Sequence, residues 1–198
     1  MSDISAKSVQ KLRQMTGSGI MDCKKALVEC DGDVEKAVDY LRKVGIAKAA
    51  KKIGRAAEEG RVHSYIHAGA KLGVLVEVLC ESDFVARTDD FIAFCNDVAM
   101  QIASEDPLAV TVDGLDKNLV DKEIEIYKEQ AKATGKPEKF IEKIVAGKLD
   151  KFYDKTVLLR QKFIKDNERT IEQLQKELIG KLGENIQIGR FVRFKIGE

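Results

Sequence analysis

Cysteine, histidine and paired carboxylates are the side chains here that could do chemistry, and their spacing restricts what that chemistry is. The four cysteines stand at 23, 30, 80 and 95. None forms a C-x-x-C pair and the second half of the chain has none. Free thiols in a reducing compartment fit this better than a disulfide framework or a zinc site. Cys80 has apolar neighbours and no adjacent base, so it reads as a core thiol rather than a nucleophile. His63 and His67 lie four apart in a strand-like stretch, on one face but about 13 Å apart when extended, too far to share a metal ion. Asp89-Asp90 suits the positive end of a helix better than a cation. No P-loop run and no G-x-S-x-G occur. Gly17-Ser18-Gly19 lacks the third glycine of a dinucleotide site and does not leave a strand. The pattern favours a binding or regulatory protein over an enzyme. No catalytic residue, metal ligand or cofactor is assigned.

One segment is out of character. Glu81-Ser82-Asp83-Phe84-Val85-Ala86-Arg87 falls between a strand pattern and a capped helix, yet Phe84 and Val85 are apolar where a surface turn would be polar. Two readings stand. Phe84 folds back as a hydrophobic staple over the sheet edge, or it protrudes beside Asp83 as an aromatic anchor for a partner's pocket.

The surrounding pattern shows what must position that segment. Val9 and Leu12 mark a first short helix, broken at Thr16-Gly17-Ser18-Gly19. Ile20, Cys23, Leu27 and Cys30 share a second helix face. Asp33 caps a third, through Val34, Ala37, Val38 and Leu41, with Gly45 as its C′ residue. Residues 1–46 thus form a three-helix bundle. A basic connector or helix follows over 47–60, with Lys48, Lys51, Lys52 and Arg55. Residues 61–198 form an α+β core. In it, 61–68 and 73–80 make an antiparallel hairpin with a buried second strand. Thr88 caps a helix through Phe91, Phe94, Cys95, Val98 and Ile102 that ends before Pro107. Val120, Ile124, Tyr127 and Ala131 mark the next, broken by Gly135. Pro137 starts another at N1, with Phe140, Ile141, Ile144 and Val145 inward, and 148–153 adds helix. Residues 156–164 read as extended. Thr170-Ile-Glu-Gln173 opens a helix through Ile171, Leu174, Leu178 and Leu182 that Gly183 closes. Val192, Phe194 and Ile196 alternate in a last strand that pairs with the hairpin, giving a small three-stranded antiparallel sheet packed with helices.

Bulk composition narrows the function classes. The 198 residues carry 34 basic and 33 acidic side chains, a net charge of +1, with 44% hydrophobic residues. That is neither a disordered polyelectrolyte nor a strongly basic nucleic-acid binder. Eight Phe, four Tyr and no Trp argue against a base-stacking surface. No apolar run approaches the roughly 20 residues of a membrane span. Met1-Ser2-Asp3-Ile4 does not open like a signal peptide, so a cytoplasmic protein is expected.

Two long motifs carry a family resemblance. Leu12-Arg-Gln-Met-Thr-Gly-Ser-Gly-Ile-Met-Asp-Cys-Lys-Lys-Ala-Leu27 resembles the N-terminal signature of the elongation factor Ts family, and Glu81-Ser-Asp-Phe-Val-Ala-Arg87 resembles its T-D-F-V-A loop, with Ser82 for the usual Thr. Gly32-Asp33, Ala49-Ala50-Lys51-Lys52, Gly-Lys-Pro at 135–137, Gly183-Glu-Asn-Ile and the terminal Arg-Phe-x-x-Gly-Glu fit as well, so the resemblance spans the chain. It implies a guanine-nucleotide exchange factor, not an enzyme. The partner would be elongation factor Tu, GDP-bound and nucleotide-free. Ser82, Asp83, Phe84 and Val85 would enter near the switch helices and disturb the Mg²⁺ site. The bundle would resemble a ubiquitin-associated domain and dock through Arg13, Ile20 and Met21, although Ile20 suits the bundle core equally well. Longer members have a duplicated core, and this chain has one hairpin of that type. A homodimer is therefore expected to cover the sheet edge or face left open. No membrane and no direct nucleic-acid contact are expected. A ubiquitin-associated-type adaptor or RNA-associated module without exchange activity is the alternative.

Overall fold

The computed structural model describes residues 4–133, 137 and 140–197. The helix break expected at Gly135 lies outside them, as does the start of the N-terminus at Met1-Ser2-Asp3. The described chain is α+β and divides into two compact units. One comprises Met1–Arg61, Val78–Phe94 and Gln173–Gln187, the other Val62–Glu77, Cys95–Glu172 and Ile188–Glu198.

The first unit opens with α1 (Ala6–Thr16), α2 (Ile20–Glu29) and α3 (Val34–Ala50). Each begins or ends for a local reason. Ser5 Oγ accepts from the Ser8 N–H at the start of α1, and Gly17, at φ +66°, ends it. Asp33 caps α3 by accepting from the Lys36 N–H at 3.1 Å. The bundle core is Val9, Leu12, Cys23, Ala26, Leu27, Ala37 and Leu41. Gly45 does not terminate α3, as its sequence position suggested. The helix runs through it to Ala50, and α8 (Ile171–Leu182) packs against it at this point. A Cβ on Gly180 would stand 2.7 Å from the Gly45 carbonyl oxygen, whereas one on Gly45 would meet nothing within 4 Å, so it is Gly180 that lets the helix backbones approach closely.

The capping hydrogen bond that Asp33 accepts from the Lys36 amide holds its carboxyl below the ordinary 3.8. A depressed folded-state value contributes stability that is present above the unfolded-state value and lost as pH falls through the folded one. Asp33→Ala therefore lowers the melting temperature at neutral pH. The two melting curves converge once the pH is below that of the capped carboxyl, as thermal scans across the acid range will test.

Strands β1 (Glu59–Ile66), β2 (Leu72–Cys80) and β5 (Gln187–Lys195) form one sheet in the order β1-β2-β5. The hairpin turn closes with the His67 N–H donating to Leu72 O at 2.9 Å, and the Ile196 N–H donates to Lys71 O while Arg190 meets Glu77, which sets β5 antiparallel to β2. Val74, Val76, Val78 and Cys80 are buried along β2.

Helix α5 (Asp89–Glu105) starts at Thr88, whose Oγ1 accepts from the Phe91 N–H at 3.3 Å. It buries Phe91, Phe94, Cys95, Val98 and Ile102. In the second unit α6 (Lys117–Ala133) is followed by α7 (Ile141–Thr156). Pro137 is not at N1 of α7. The Phe140 N–H donates to Pro137 O at 2.9 Å, and α7 begins only at Ile141. Phe140, expected inward, is exposed, while Val145 is buried.

The stretch read as extended, 156–164, is mixed. It ends α7, makes a short 3₁₀ turn at Leu158–Arg160, and enters β3 (Lys162–Phe163), which pairs with β4 (Asp166–Thr170) as a second, two-stranded sheet. Buried Gln161 organises it. Its Nε2 donates to Lys155 O at 2.8 Å and its Oε1 accepts from Gln101 Nε2 at 3.2 Å, so a polar residue takes a core position with its amide satisfied.

Candidate functional site: a clamped loop with an exposed aromatic ring

Between β2 and α5 the chain makes one helical turn, α4 (Asp83–Ala86). A four-residue helix cannot sustain itself, because nucleation fixes several dihedrals for few hydrogen bonds. It is held from its ends. Ser82 is the N-cap, its Oγ accepting from the Val85 N–H at 3.5 Å. At the other end the Thr88 hydroxyl donates to Val85 O at 2.8 Å. Asp83 is paired with Arg87 at 2.7 Å, one turn on, and both are well exposed. Val85 is half-buried and Ala86 buried.

Phe84 points outward, at 81% relative exposure. It does not cover the sheet edge as a staple would. An apolar ring this exposed contributes little to folding and is free to enter a partner's pocket.

The sequence reading missed the residues that anchor the loop. Glu184, just past α8, receives three donors: the Glu81 N–H at 3.1 Å, the Ser82 N–H at 3.0 Å and the Ser82 hydroxyl at 2.6 Å. The next residue, Asn185, is buried. Its N–H donates to Glu81 Oε1 at 2.6 Å and its Nδ2 to Arg55 O at 2.7 Å, while Arg55 Nη1 lies 3.6 Å from Glu81 Oε2. The signal available in sequence was the Gly183-Glu-Asn-Ile run alone, about a hundred residues from the loop.

Cys80 adjoins the same loop, its thiol donating to Ser82 O at 3.1 Å. Burial, then the nearby Glu184 charge, pushes that thiol up. A raised thiol is a poor nucleophile, as its apolar sequence neighbours implied. His67 lies past the end of β1 with Nδ1 2.9 Å from the Tyr65 hydroxyl. Among the described residues, no group of three or more His, Cys, Asp or Glu side chains is placed to hold a metal ion.

The second set of expected contact residues lies at the turn between α1 and α2. Thr16 Oγ1 donates to Leu12 O and accepts from the Ser18 N–H, and Cys23 Sγ contacts Ser18 O. That turn presents Ile20 at 54% and Met21 at 76% exposure, with Arg13 and Met15 also exposed. Ile20 is therefore not bundle core. As the first residue of α2 its Cβ is directed back past the helix start, and Cys23, Ala26 and Leu27 fill the core instead. Lys48 and Asp22, 2.8 Å apart, tie α2 to α3.

Set beside known proteins, the chain is similar to translation elongation factors along nearly its whole length. The relative from Geobacter sulfurreducens is 54% identical over 195 residues, covering 98% of this chain and 90% of its own. That from Solidesulfovibrio magneticus is 55% identical over 198 residues, covering 100% and 99%. That from Fervidobacterium nodosum is 53% identical over 196 residues, covering 99% and 100%. All three are called elongation factor Ts, and a family model described as Elongation factor TS matches residues 6–198. The chain belongs to the elongation factor Ts family, and its role is guanine-nucleotide exchange on elongation factor Tu.

Proposed function

We propose that exchange works through the Asp83-Phe84 loop, which enters the GDP-bound partner near its switch helices and disturbs the Mg²⁺ site. The observation that carries this is the exposed Phe84 ring on a one-turn helix fixed at both ends. A GTPase of this type holds nucleotide through backbone amides and an octahedral Mg²⁺. Magnesium tolerates little distortion of its ligands, so a wedge of ring size suffices to loosen it. Ser82 and Val85 hold the wedge, and Asp83 brings a carboxylate toward the metal region. No bond is made or broken in this protein, so it acts as an exchange factor and not as an enzyme. The factor binds nucleotide-free partner more tightly than GDP-bound partner, and by reciprocity it weakens GDP by the same ratio.

Residues 1–46 serve as a ubiquitin-associated-like docking module, with Arg13, Ile20 and Met21 against the G domain. Residues 47–60 connect it to the 61–198 core. The protein works in the cytoplasm, without direct nucleic-acid contact. The test is release of labelled GDP from purified elongation factor Tu. Catalytic amounts of this protein accelerate it, whereas an adaptor or RNA-associated module would leave the rate unchanged.

The core is proposed to dimerise through its sheet. Val62, Ile66, Leu75, Val192, Phe194 and Ile196 are all exposed, Phe194 at 69%. They belong to one unit, where Ile66, Leu72, Leu75, Phe194 and Ile196 help line a groove of about 510 Å³. A second copy would bury this face. Phe194→Asp is expected to convert a dimer to a monomer in sedimentation velocity. A wild-type protein that is strictly monomeric and fully active would remove the dimer from the account.

A further inference from the structure

We infer that Glu184 is a positioning residue for exchange: its carboxylate, acting with Asn185, fixes the base of the Phe84 loop so that the ring meets the partner already in place. The inference rests on the reading of Phe84 as the wedge, and goes beyond it by assigning a role to the Gly183-Glu-Asn-Ile run.

The argument starts from what the loop lacks. With its ring in water, Phe84 has no packing of its own to hold it. The Asp83–Arg87 pair is exposed and contributes little rigidity. Val85 and Ala86 bury modest side chains. What remains at the loop's entry is the Glu184 carboxylate, whose two oxygens take three donors from Glu81 and Ser82. Hydrogen bonds to an ionised acceptor are shorter and about twice as strong as neutral ones.

The clamp is reciprocal. Glu184 receives the Glu81 amide, and Glu81 in turn receives the Asn185 amide at 2.6 Å. Two adjacent segments thus exchange carboxylate-to-amide bonds. The Asn185 side chain, 1% exposed, ties them to the Arg55 carbonyl. Glu184 is itself set by the end of α8, where Gly183, at φ +77°, donates its N–H to Ile179 O at 2.9 Å. The Ser82 hydroxyl joins the clamp to the wedge, because it donates to Glu184 and accepts from the Val85 N–H of α4. A small displacement of a positioned group can cost a large factor in rate. The clamp therefore acts on exchange through the placement of the ring.

The experiment is a double-mutant cycle on labelled-GDP release from elongation factor Tu, using the full chain. Its members are wild type, Glu184→Gln, Phe84→Ala and the double variant, with rates measured against factor concentration. Glu184→Gln keeps the shape and one acceptor oxygen but turns an N–H₂ toward the donors. Its maximal rate is expected to fall at least about fivefold, with faster amide hydrogen exchange at Glu81 and Ser82. In the Phe84→Ala background the same change is expected to do nothing further. Glu184→Ala serves as the second variant, and melting temperatures confirm that each folds. A Glu184→Gln rate equal to wild type, while Phe84→Ala is impaired, overturns the positioning role alone. So does an equal loss in both backgrounds, which would mean that Glu184 acts other than through the ring. A Phe84→Ala rate equal to wild type defeats the wedge reading itself, and the positioning role with it.

Discussion

Phe84→Ala lowers factor-stimulated GDP release from elongation factor Tu by about one to two orders of magnitude and leaves the melting temperature unchanged. The size follows from the ring. Burying a phenylalanine side chain in a partner is worth roughly 1.5–3 kcal/mol, and each 1.4 kcal/mol is about tenfold. The unchanged stability follows from the structure, in which 81% of the residue already faces water, so truncation opens no cavity. Stopped-flow release and a thermal scan on one preparation decide the matter. A fall in melting temperature that accompanies the loss of activity would return Phe84 to a structural role. Phe84→Leu, which keeps much of the apolar bulk, is expected to lie between.

The largest effect on stability is expected at Gly60, at the start of β1. Its φ is +145°, and a Cβ there would stand 2.2 Å from the Val78 carbonyl oxygen and 2.8 Å from Leu79 Cα. Both obstacles are backbone atoms of the neighbouring strand β2, so no side chain can swing aside. Gly60→Ala combines a strained dihedral with a clash in the ladder and costs about 2–4 kcal/mol. That corresponds to roughly 5–15 °C in melting temperature for a chain of this size. The control is Gly69→Ala in the hairpin turn, where φ is +88° but nothing lies within 4 Å. It carries the dihedral cost alone and is expected to lose clearly less. Equal losses at both positions in thermal or urea unfolding would show that the close approach of β1 and β2 is not what requires the glycine.

The contrast between these two variants marks what the sequence could reveal. Local patterns were readable wherever one segment decides its own state. Asp33 and Thr88 cap the helices their spacing announces, Val9 and Leu12 are buried, and Gly183 ends α8. The almost wholly apolar, β-branched run in 73–80 and the alternation after 190 predict strands, and these lie side by side. Readings failed where a distant segment overrides the local signal. Gly45 looks like a helix end, but α3 continues through it to Ala50, and the glycine that tertiary packing requires there is Gly180, more than a hundred residues away. Residues 156–164 look extended, yet Gln161 finds its partners in Gln101 and Lys155 and pulls the chain into a turn.

The candidate site divides along the same line. Phe84 was conspicuous because an apolar residue stood in a loop, but whether it faced in or out depended on geometry. The choice between core and surface for Ile20 was open for a similar reason, since helix periodicity places its neighbours three and four residues on but not the start of the helix. Glu184 and Asn185 left almost no trace. A Glu and an Asn after a helix-ending glycine are ordinary surface residues until the strand and helix that bracket Ser82 are folded beside them.

Central to the account is the idea that the ring acts on the partner's magnesium. The most direct measurement is the ratio of wild-type to Phe84→Ala rates of GDP release, taken at saturating factor with Mg²⁺ present and again after chelation. The account predicts a large ratio in the first condition and a ratio close to one in the second, because a chelator does for both proteins what the ring does for one. A ratio that stays the same with and without Mg²⁺ would contradict it.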